Sequence, residues 1–479
     1  MNTDINDLGI PLCVDLDGTL IKTDLLYESI LYLLKKNFFY IFFIPFWLMK
    51  GRYYIKFKLA GLIIPNIASL PKYDEVIDYV KSEKSKGRKI VLVTAASEPA
   101  ALKAAEYFNL FDEVLASKNS INLIGQAKSD ALVSRFGENG FDYIGDSFKD
   151  IFVWKSCRKV YVVSDNLELI NEVKKERDIE KTFYYQKNKL AIIIKQMRVH
   201  QWIKNLLLFV PPLLAHKIYL GDYLYVVLGF FSFSFTASAI YIINDLADIE
   251  SDRNHVTKKN RPAASGRIKI LTCLKLIPIL LIMGYGLSLF MPNNNFLYIL
   301  IAYTIITVYY SFKLKKIYLL DMITLSLLYT TRVVSGGIAS DTFLSPWLFS
   351  FTMFMFISLG AMKRYTELKG LIKLNKTKPG GRDYHVEDIP LINTIGISAA
   401  FVSAVIFTLY IDSPNVVRLY NNPLFLYVIT PVILYWLLRM WFIAHRGMMD
   451  EDPIVFMIKD KVSYITFAII SLISIMAAI

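Results

Sequence analysis

Cysteine is nearly absent from this 479-residue chain: Cys13, Cys157 and Cys273 are its only three, and none forms a CxxC pair. That excludes a disulfide framework and a cysteine zinc site, and leaves three small packed hydrophobes as the plain expectation. Charge is scarce too, 20% of residues against 54% hydrophobic, which excludes intrinsic disorder. Acid is shortest in the second part of the chain. Residues 1–190 hold 27 Lys+Arg and 25 Asp+Glu, whereas residues 191–479 hold 27 and 16. The basic excess therefore lies in an apolar region, in short loops, and no basic stripe marks a soluble domain. No nucleic acid is expected as a partner; a membrane surface and anionic substrates fit better. The N-terminus, MNTDINDLGI, has no basic segment followed by an apolar core, so no signal peptide is expected and the first part should stay in the cytosol.

The pattern changes near residue 190. Before it, Pro11–Leu16, Lys89–Thr94, Phe141–Gly145 and Lys159–Val163 are short apolar runs, each followed by polar or helical sequence. They read as buried parallel strands of an α/β sheet with crossover helices, in which ligands bind at the carboxyl ends of strands. After it, apolar stretches recur near 203–220, 223–246, 270–291, 296–312, 319–338, 345–362, 391–411, 422–444 and 461–479. Each approaches the roughly 20 residues a helix needs to cross a bilayer, so nine spans are expected. Cations gather in alternate loops, around 253–267, 313–316 and 363–382, which puts those loops and the N-terminal part on the cytosolic side. One segment of the first part stands apart. Its apolar run, Phe38–Met49, is too short to span, and Lys35, Lys36, Lys50 and Arg52 flank it, which suits an interfacial helix.

Asp15-Leu16-Asp17-Gly18-Thr19 directly follows the first expected strand. Two carboxylates two residues apart in extended chain point the same way, one placed to attack phosphorus and the other to handle the leaving-group proton. Further on, the Thr94 hydroxyl could hold a phosphoryl oxygen, and Lys128 could neutralise phosphate charge. Asp146 and Asp150 supply two more acids for Mg2+, a hard cation that prefers oxygen. The ordered set resembles the haloacid dehalogenase superfamily of phosphohydrolases. The resemblance implies a Rossmann-like α/β domain over residues 1–190 with a helical cap at about 25–75. It makes Asp15 the nucleophile, Asp17 the acid/base, Thr94 and Lys128 the phosphoryl holders, and Asp15, Asp17, Asp146 and Asp150 the metal site. Lys118 competes for the lysine role, but Lys128 has the better local context.

Asn244-Asp245-Leu246-Ala247-Asp248-Ile249-Glu250-Ser251-Asp252 ends the second apolar stretch. Asp245, Asp248 and Asp252 are spaced three and four apart, so they share one helical face, where a Mg2+-bound diphosphate is the natural partner. Lys258 and Arg261 follow in a basic segment and could grip phosphate oxygens. Together with Asn260-Arg261-Pro262-Ala263-Ala264-Ser265-Gly266, the pattern resembles the UbiA superfamily of intramembrane transferases over residues 191–479, an all-α polytopic bundle of nine helices. Most members carry a second acid-rich motif. Here the matching site reads Asp321-Met322-Ile323-Thr324-Leu325 and lacks the second acid.

Arg198–Asn205, Arg332–Gly337, Ser345–Trp347 and Ala361–Tyr365 look like the decaprenyl-phosphate phosphoribosyltransferase branch of that superfamily. That resemblance implies phosphoribosyl pyrophosphate and a polyprenyl phosphate lipid as substrates. Asp245, Asp248 and Asp252 would hold Mg2+ on the leaving pyrophosphate, and Asn244, Tyr309 and Asp321 would meet ribose or phosphate oxygens. Lys204, Arg332, Lys363 and Arg364 would balance the anions. A fused phosphatase would remove the ribose 5-phosphate of the product, at the cytosolic face of a bacterial inner membrane. The alternative is an aromatic prenyltransferase using a polyprenyl diphosphate, with a phosphatase of separate specificity. Asp450–Asp452, ahead of the last stretch, either line the site or face water.

Overall fold

The computed structural model describes residues 9–118, 121–183, 188–217, 219–372, 377–378, 382–449 and 452–479, so Asp450 lies outside the described residues. The chain packs as two units, residues 1–197 with 242–276 and residues 198–241 with 277–479.

The first unit is built on six strands: β1 (Leu12–Val14), β2 (Ile90–Ser97), β3 (Glu113–Ser117), β4 (Asp142–Gly145), β5 (Val160–Val163) and β6 (Ile179–Phe183). They form one sheet in the order β3-β2-β1-β4-β5-β6, every pair parallel. The four expected strands are the central ones. Their alternation explains how both faces are covered. Leu12, Val14, Leu92 and Ile144 feed one apolar cluster, while Cys13, Val91, Val93 and Tyr143 feed the other. Cys13, Cys157 and Cys273 are buried free thiols. The strand order reverses direction between β1 and β4, and the crevice beyond the carboxyl ends at such a reversal is where doubly wound sheets place ligands. Asp15 and Asp146 are the residues next after these two strands.

Between β1 and β2 the chain inserts a small helical cap: Leu25–Lys36, Phe38–Phe42, Ile44–Met49 and Arg52–Leu62. Asp24 caps the first of these helices, accepting from the Leu26 N–H at 2.8 Å. The cap has its own core of Ile30, Leu33, Ile44, Ile55 and Leu59. The segment 242–276 packs in the same unit. Arg253 donates to Glu28 at 2.6 Å, with the two side chains 5% and 0% exposed, and Lys35 reaches Glu250 at 2.9 Å.

The second unit is helical. Among the described residues eight helices of the chain are long and apolar enough to cross a membrane: Tyr223–Ala247, Ile270–Ser288, Asn295–Phe312, Leu320–Ala339, Pro346–Ile372, Val386–Ile411, Pro423–His445 and Lys461–Ala478. They make this an integral membrane protein. The first of the nine expected stretches, 203–220, differs. It is a 3-10 segment, Val199–Phe209, followed by the short helix Val210–Leu214. Pro211 and Pro212 remove two successive backbone donors there, so one continuous helix cannot form. Small residues let this segment pack tightly: a Cβ at Gly336 would meet the Leu208 carbonyl oxygen at 2.1 Å.

Candidate functional sites

The first site sits at the carboxyl ends of β1 and β4. Asp15 accepts from the Leu16 N–H at 2.8 Å through one oxygen and pairs with Lys128 at 3.1 Å through the other. Lys128, on the helix Gln126–Phe136, is 3% exposed and also reaches the Tyr143 hydroxyl at 2.9 Å and Asp150 at 3.3 Å. Asp150 spends both oxygens on protein donors: the Tyr143 hydroxyl at 2.8 Å, the Ser147 hydroxyl at 2.8 Å and the Ser147 N–H at 3.0 Å. It therefore positions its neighbours. Gly18 has φ +80°, and a Cβ there would lie 2.2 Å from an Asp146 carboxylate oxygen, so only glycine permits this approach. Thr94 is fully buried in β2 and accepts from the Ala96 N–H at 3.0 Å. Asp17 accepts from the Leu25 N–H at 3.0 Å, tying the turn after β1 to the first cap helix. Lys118 is an exposed residue paired with Glu98.

Among the described residues, Asp15, Asp146 and Asp150 form the compact carboxylate group, with ligand atoms all within 4.8 Å of one another; Asp17 lies outside it. The electrostatics fit a divalent cation. Burial, then Asp150, pushes Asp146 up to about 8, and burial pushes Asp15 up to about 6 despite Lys128. Lys128 and the hydrogen bonds from Ser147 and Tyr143 hold Asp150 below the usual range in spite of burial. Two carboxyls that resist ionisation even with Lys128 beside Asp15 and the exposed Lys269 at 3.8 Å from Asp146 lack positive charge, which a cation supplies.

The sign of the pH dependence follows. Without metal, Asp146 and Asp15 bind protons more tightly folded than unfolded. Their stabilising contribution is therefore complete below about pH 4 and is lost as pH rises through 6 and then 8. A cation must displace those protons. Calorimetric titration of Mg2+ into the full-length protein should thus show affinity rising from pH 6 to pH 8.5, with proton release, and Asp146→Asn should abolish that pH-dependent component. Affinity flat across this range would contradict the assignment.

The second site, in the same unit, is the end of the helix Tyr223–Ala247 and the loop beyond. Asp245 and Asp252 are both 3% exposed and both accept from one Arg261 nitrogen, at 3.1 and 2.5 Å. Asp245 also accepts from the Gln196 side chain at 2.9 Å, and Gln196 holds the Ala263 N–H at 3.1 Å. Asp248 is half-buried on the same turn. Burial raises the Asp252 carboxyl, with Arg261 and Lys258 opposing. Among the described residues, the Asn244 side-chain amide oxygen is buried with no partner. Arg261 thus serves as the cation joining two acids, beside an orphaned acceptor, and the donor set suits a divalent cation and the phosphate oxygens it would carry.

The second unit holds the remaining candidates. Arg332, in the span Leu320–Ala339, is 4% exposed and donates to the Asn205 side-chain amide oxygen at 2.8 Å and the Tyr303 hydroxyl at 2.9 Å. Phe233, Tyr303 and Tyr329 rings surround it, and among the described residues it has no carboxylate partner. Lys204 and Lys363 share one acid, Asp452, at 2.8 and 3.0 Å. Burial opposes ionisation of Asp452, but the two lysines hold it well below the usual range. Asp321 and Arg364 are placed against each other instead. Arg364 grips both Asp321 oxygens, Tyr310 donates to Asp321 at 2.7 Å, and Glu367 takes another Arg364 nitrogen at 2.6 Å. Tyr309 is half exposed beside Lys313.

The model of the UbiA prenyltransferase family matches residues 210–459. The chain belongs to that family. The uncharacterized protein y4nM of Sinorhizobium fredii (strain NBRC 101917 / NGR234) is 35% identical over 100% of this chain and 93% of its own length, so the likeness includes the sheet-bearing N-terminal part. The decaprenyl-phosphate phosphoribosyltransferase of Mycolicibacterium smegmatis is 34% identical over 38% of this chain and 59% of that enzyme, less than two thirds of its length. A solved UbiA homolog from Archaeoglobus fulgidus, bound to GPP and Mg2+, aligns with 58% of this chain and 99% of its own at 16% identity and a TM-score of 0.45.

In this UbiA-family chain several site residues carry no sequence signal. Lys56 reaches from the cap to the Ala95 carbonyl oxygen at 2.7 Å and lines a narrow cleft with Asp17, Leu25 and Ala96; burial lowers its pKa. Tyr143, Gln196, Asn205 and Tyr310 are the others. Tyr143 and Gln196 sit in a strand and a helix whose pattern announces only burial.

Proposed function

We propose that this UbiA-family enzyme transfers 5-phosphoribose from phosphoribosyl pyrophosphate to a polyprenyl phosphate in the bacterial inner membrane. A haloacid dehalogenase-like phosphatase domain, residues 1–190 on the cytosolic side, then removes the 5-phosphate to give polyprenyl-phosphoryl-ribose. The observation that carries the transferase reading is Arg332: a guanidinium buried within a span and, among the described residues, hydrogen-bonded only to neutral groups calls for an anion. Lys204 and Lys363, two cations on one acid, add a second unit of excess positive charge. An ordinary prenyl diphosphate site of this family would use a second acid pair, and residues 321–325 hold one acid.

In the transfer, a lipid phosphate oxygen attacks ribose C1 and the C1–pyrophosphate bond breaks. The nucleophile is already ionised, so no base is required. Arg332, Lys204 and Lys363 align the lipid phosphate. Asp245, Asp248 and Asp252 would hold Mg2+, which neutralises charge on the departing pyrophosphate, while Lys258 and Arg261 grip its oxygens. The buried Asn244 side-chain oxygen, without a partner among the described residues, would contact ribose or phosphate-bound metal.

In the hydrolysis, Asp15 attacks phosphorus as the bond to the ribose 5-oxygen breaks, and Asp17 gives that oxygen its proton. Burial, then Asp24, raises the Asp17 carboxyl well above the usual range, so the proton is present. Water then cleaves the aspartyl phosphate, returning its proton to Asp17. Thr94 and Lys128 hold the phosphoryl oxygens.

The test incubates full-length protein with Mg2+, a polyprenyl phosphate and phosphoribosyl pyrophosphate and identifies lipid products by mass. Polyprenyl-phosphoryl-ribose is the expected product. No consumption of phosphoribosyl pyrophosphate, with reaction of a polyprenyl diphosphate and an aromatic acid instead, would establish the aromatic prenyltransferase reading.

A further inference from the structure

The tip of the cap has an unusual surface. Phe38, Phe39, Phe42, Phe43, Phe46 and Met49 are 59, 72, 65, 53, 65 and 84% exposed, side by side in one 12-residue stretch. Ile44, which turns inward to the cap core, is the buried anchor of that stretch. A water-facing domain does not leave six large apolar side chains contiguous and bare. Charge around them is one-sided: residues 29–73 contain seven Lys or Arg and no Asp or Glu. Lys36 and Lys50 bracket the apolar tip in sequence.

We infer that this cap surface docks onto a bilayer with anionic headgroups, its phenylalanines entering the headgroup–acyl boundary and its lysines meeting lipid phosphates. The stretch is too short to span but has the composition of an interfacial anchor. A second argument comes from what the cap is bound to. The buried Arg253–Glu28 pair and the Lys35–Glu250 pair lock its first helix to a loop that leaves one apolar span at Ala247 and enters the next at Ile270. Glu250 and Arg253 stand only three and six residues beyond that first span. The cap is thereby tethered to the place where the chain meets lipid, so the nearest apolar phase is the membrane itself. Asp17, tied to the N-terminus of that same cap helix, would then work at the lipid–water boundary, where a lipid-linked phosphate is presented. The docking itself rests on neither enzymatic activity, and its readout is position.

The experiment places an environment-sensitive fluorophore on Phe46→Cys in the full-length protein. The three native cysteines are buried and compete little for label. A control carries the probe on Lys174→Cys, exposed on a helix that packs against the other face of the sheet. Both are reconstituted in nanodiscs of phosphatidylcholine with phosphatidylglycerol, with and without spin-labelled lipid. The expected result is blue-shifted emission at 46 with quenching several-fold stronger than at 174, weakened by neutral discs, by salt, and by a Lys36→Glu/Lys50→Glu double variant. Aqueous, unquenched emission at 46 in anionic discs would overturn the inference. So would burial of the probe against a second copy, seen as concentration-dependent emission in detergent with disulfide cross-linking of Phe46→Cys between chains. Either outcome leaves the phosphatase and transferase assays able to succeed or fail independently.

Discussion

Full-length Asp15→Asn, given Mg2+, a polyprenyl phosphate and phosphoribosyl pyrophosphate, is expected to accumulate polyprenyl-phosphoryl-ribose that still carries its 5-phosphate. Loss of the attacking carboxylate should slow hydrolysis by about a thousandfold or more. Asparagine matches aspartate in shape and can keep the Leu16 N–H contact, but it forfeits the ion pair with Lys128. Lys128 retains Asp150 and the Tyr143 hydroxyl, so the buried ammonium is not abandoned and the fold should survive. The transferase rate should be unaffected, because Asp15 plays no part in that step. Dephosphorylated lipid appearing at the unaltered rate would remove the phosphatase assignment. A variant that makes no lipid product at all, with its melting temperature intact, would mean that the two activities are coupled rather than sequential. Asp150→Asn should behave differently: it disturbs Lys128, Tyr143 and Ser147 together, and part of its loss should appear as instability.

The sheet was legible where burial is complete. β1, β2, β4 and β5 are short and buried, and their sequences say so. β3 and β6 escape the pattern because each is an edge strand with charged positions that are not fully buried, the half-buried Glu113 in one and the exposed Glu180 and Lys181 in the other. Spacing placed Asp15, Lys128, Asp146 and Asp150 in one neighbourhood, since each follows a strand or opens a helix after one. It gave less for the helices. Tyr309 and Tyr310 are adjacent in a helix apolar on every side, so nothing in the sequence tells which turns inward; the structure turns Tyr310 onto Asp321. The Asp321–Arg364 pair joins residues 43 apart in the chain, and no local pattern predicts it. The same holds for Glu28 and Arg253, 225 residues apart, which bring the loop after the span Tyr223–Ala247 into the N-terminal unit. Periodicity reports which face is buried, not what it is buried against.

Arg332 and Arg364 give the sharpest separation between binding and structure, because both are buried in spans and only one is paired. Arg364→Gln would strip the Asp321 carboxylate of its cation and leave it, among the described residues, with Tyr310 alone, while Glu367 would keep its pair with Arg382. Breaking a buried pair by removing one partner costs about 3–5 kcal/mol, so the expected loss is in melting temperature. Arg332→Gln removes a buried charge that has no acid to strand. Glutamine can still donate to the Asn205 side-chain amide oxygen or the Tyr303 hydroxyl, so the melting temperature should hold. Transfer should nevertheless fall by roughly 100- to 1,000-fold, the usual consequence of deleting one preorganised charge at a reacting anion. Arg332→Lys should recover little, since a point charge cannot reproduce a planar fork held between Asn205 and Tyr303. The loss should appear in KM for the polyprenyl phosphate more than in KM for phosphoribosyl pyrophosphate. A fully active Arg332→Gln, or one that loses activity only in proportion to its unfolding, would show that Arg332 is a packing residue and would leave the lipid phosphate to Lys204 and Lys363.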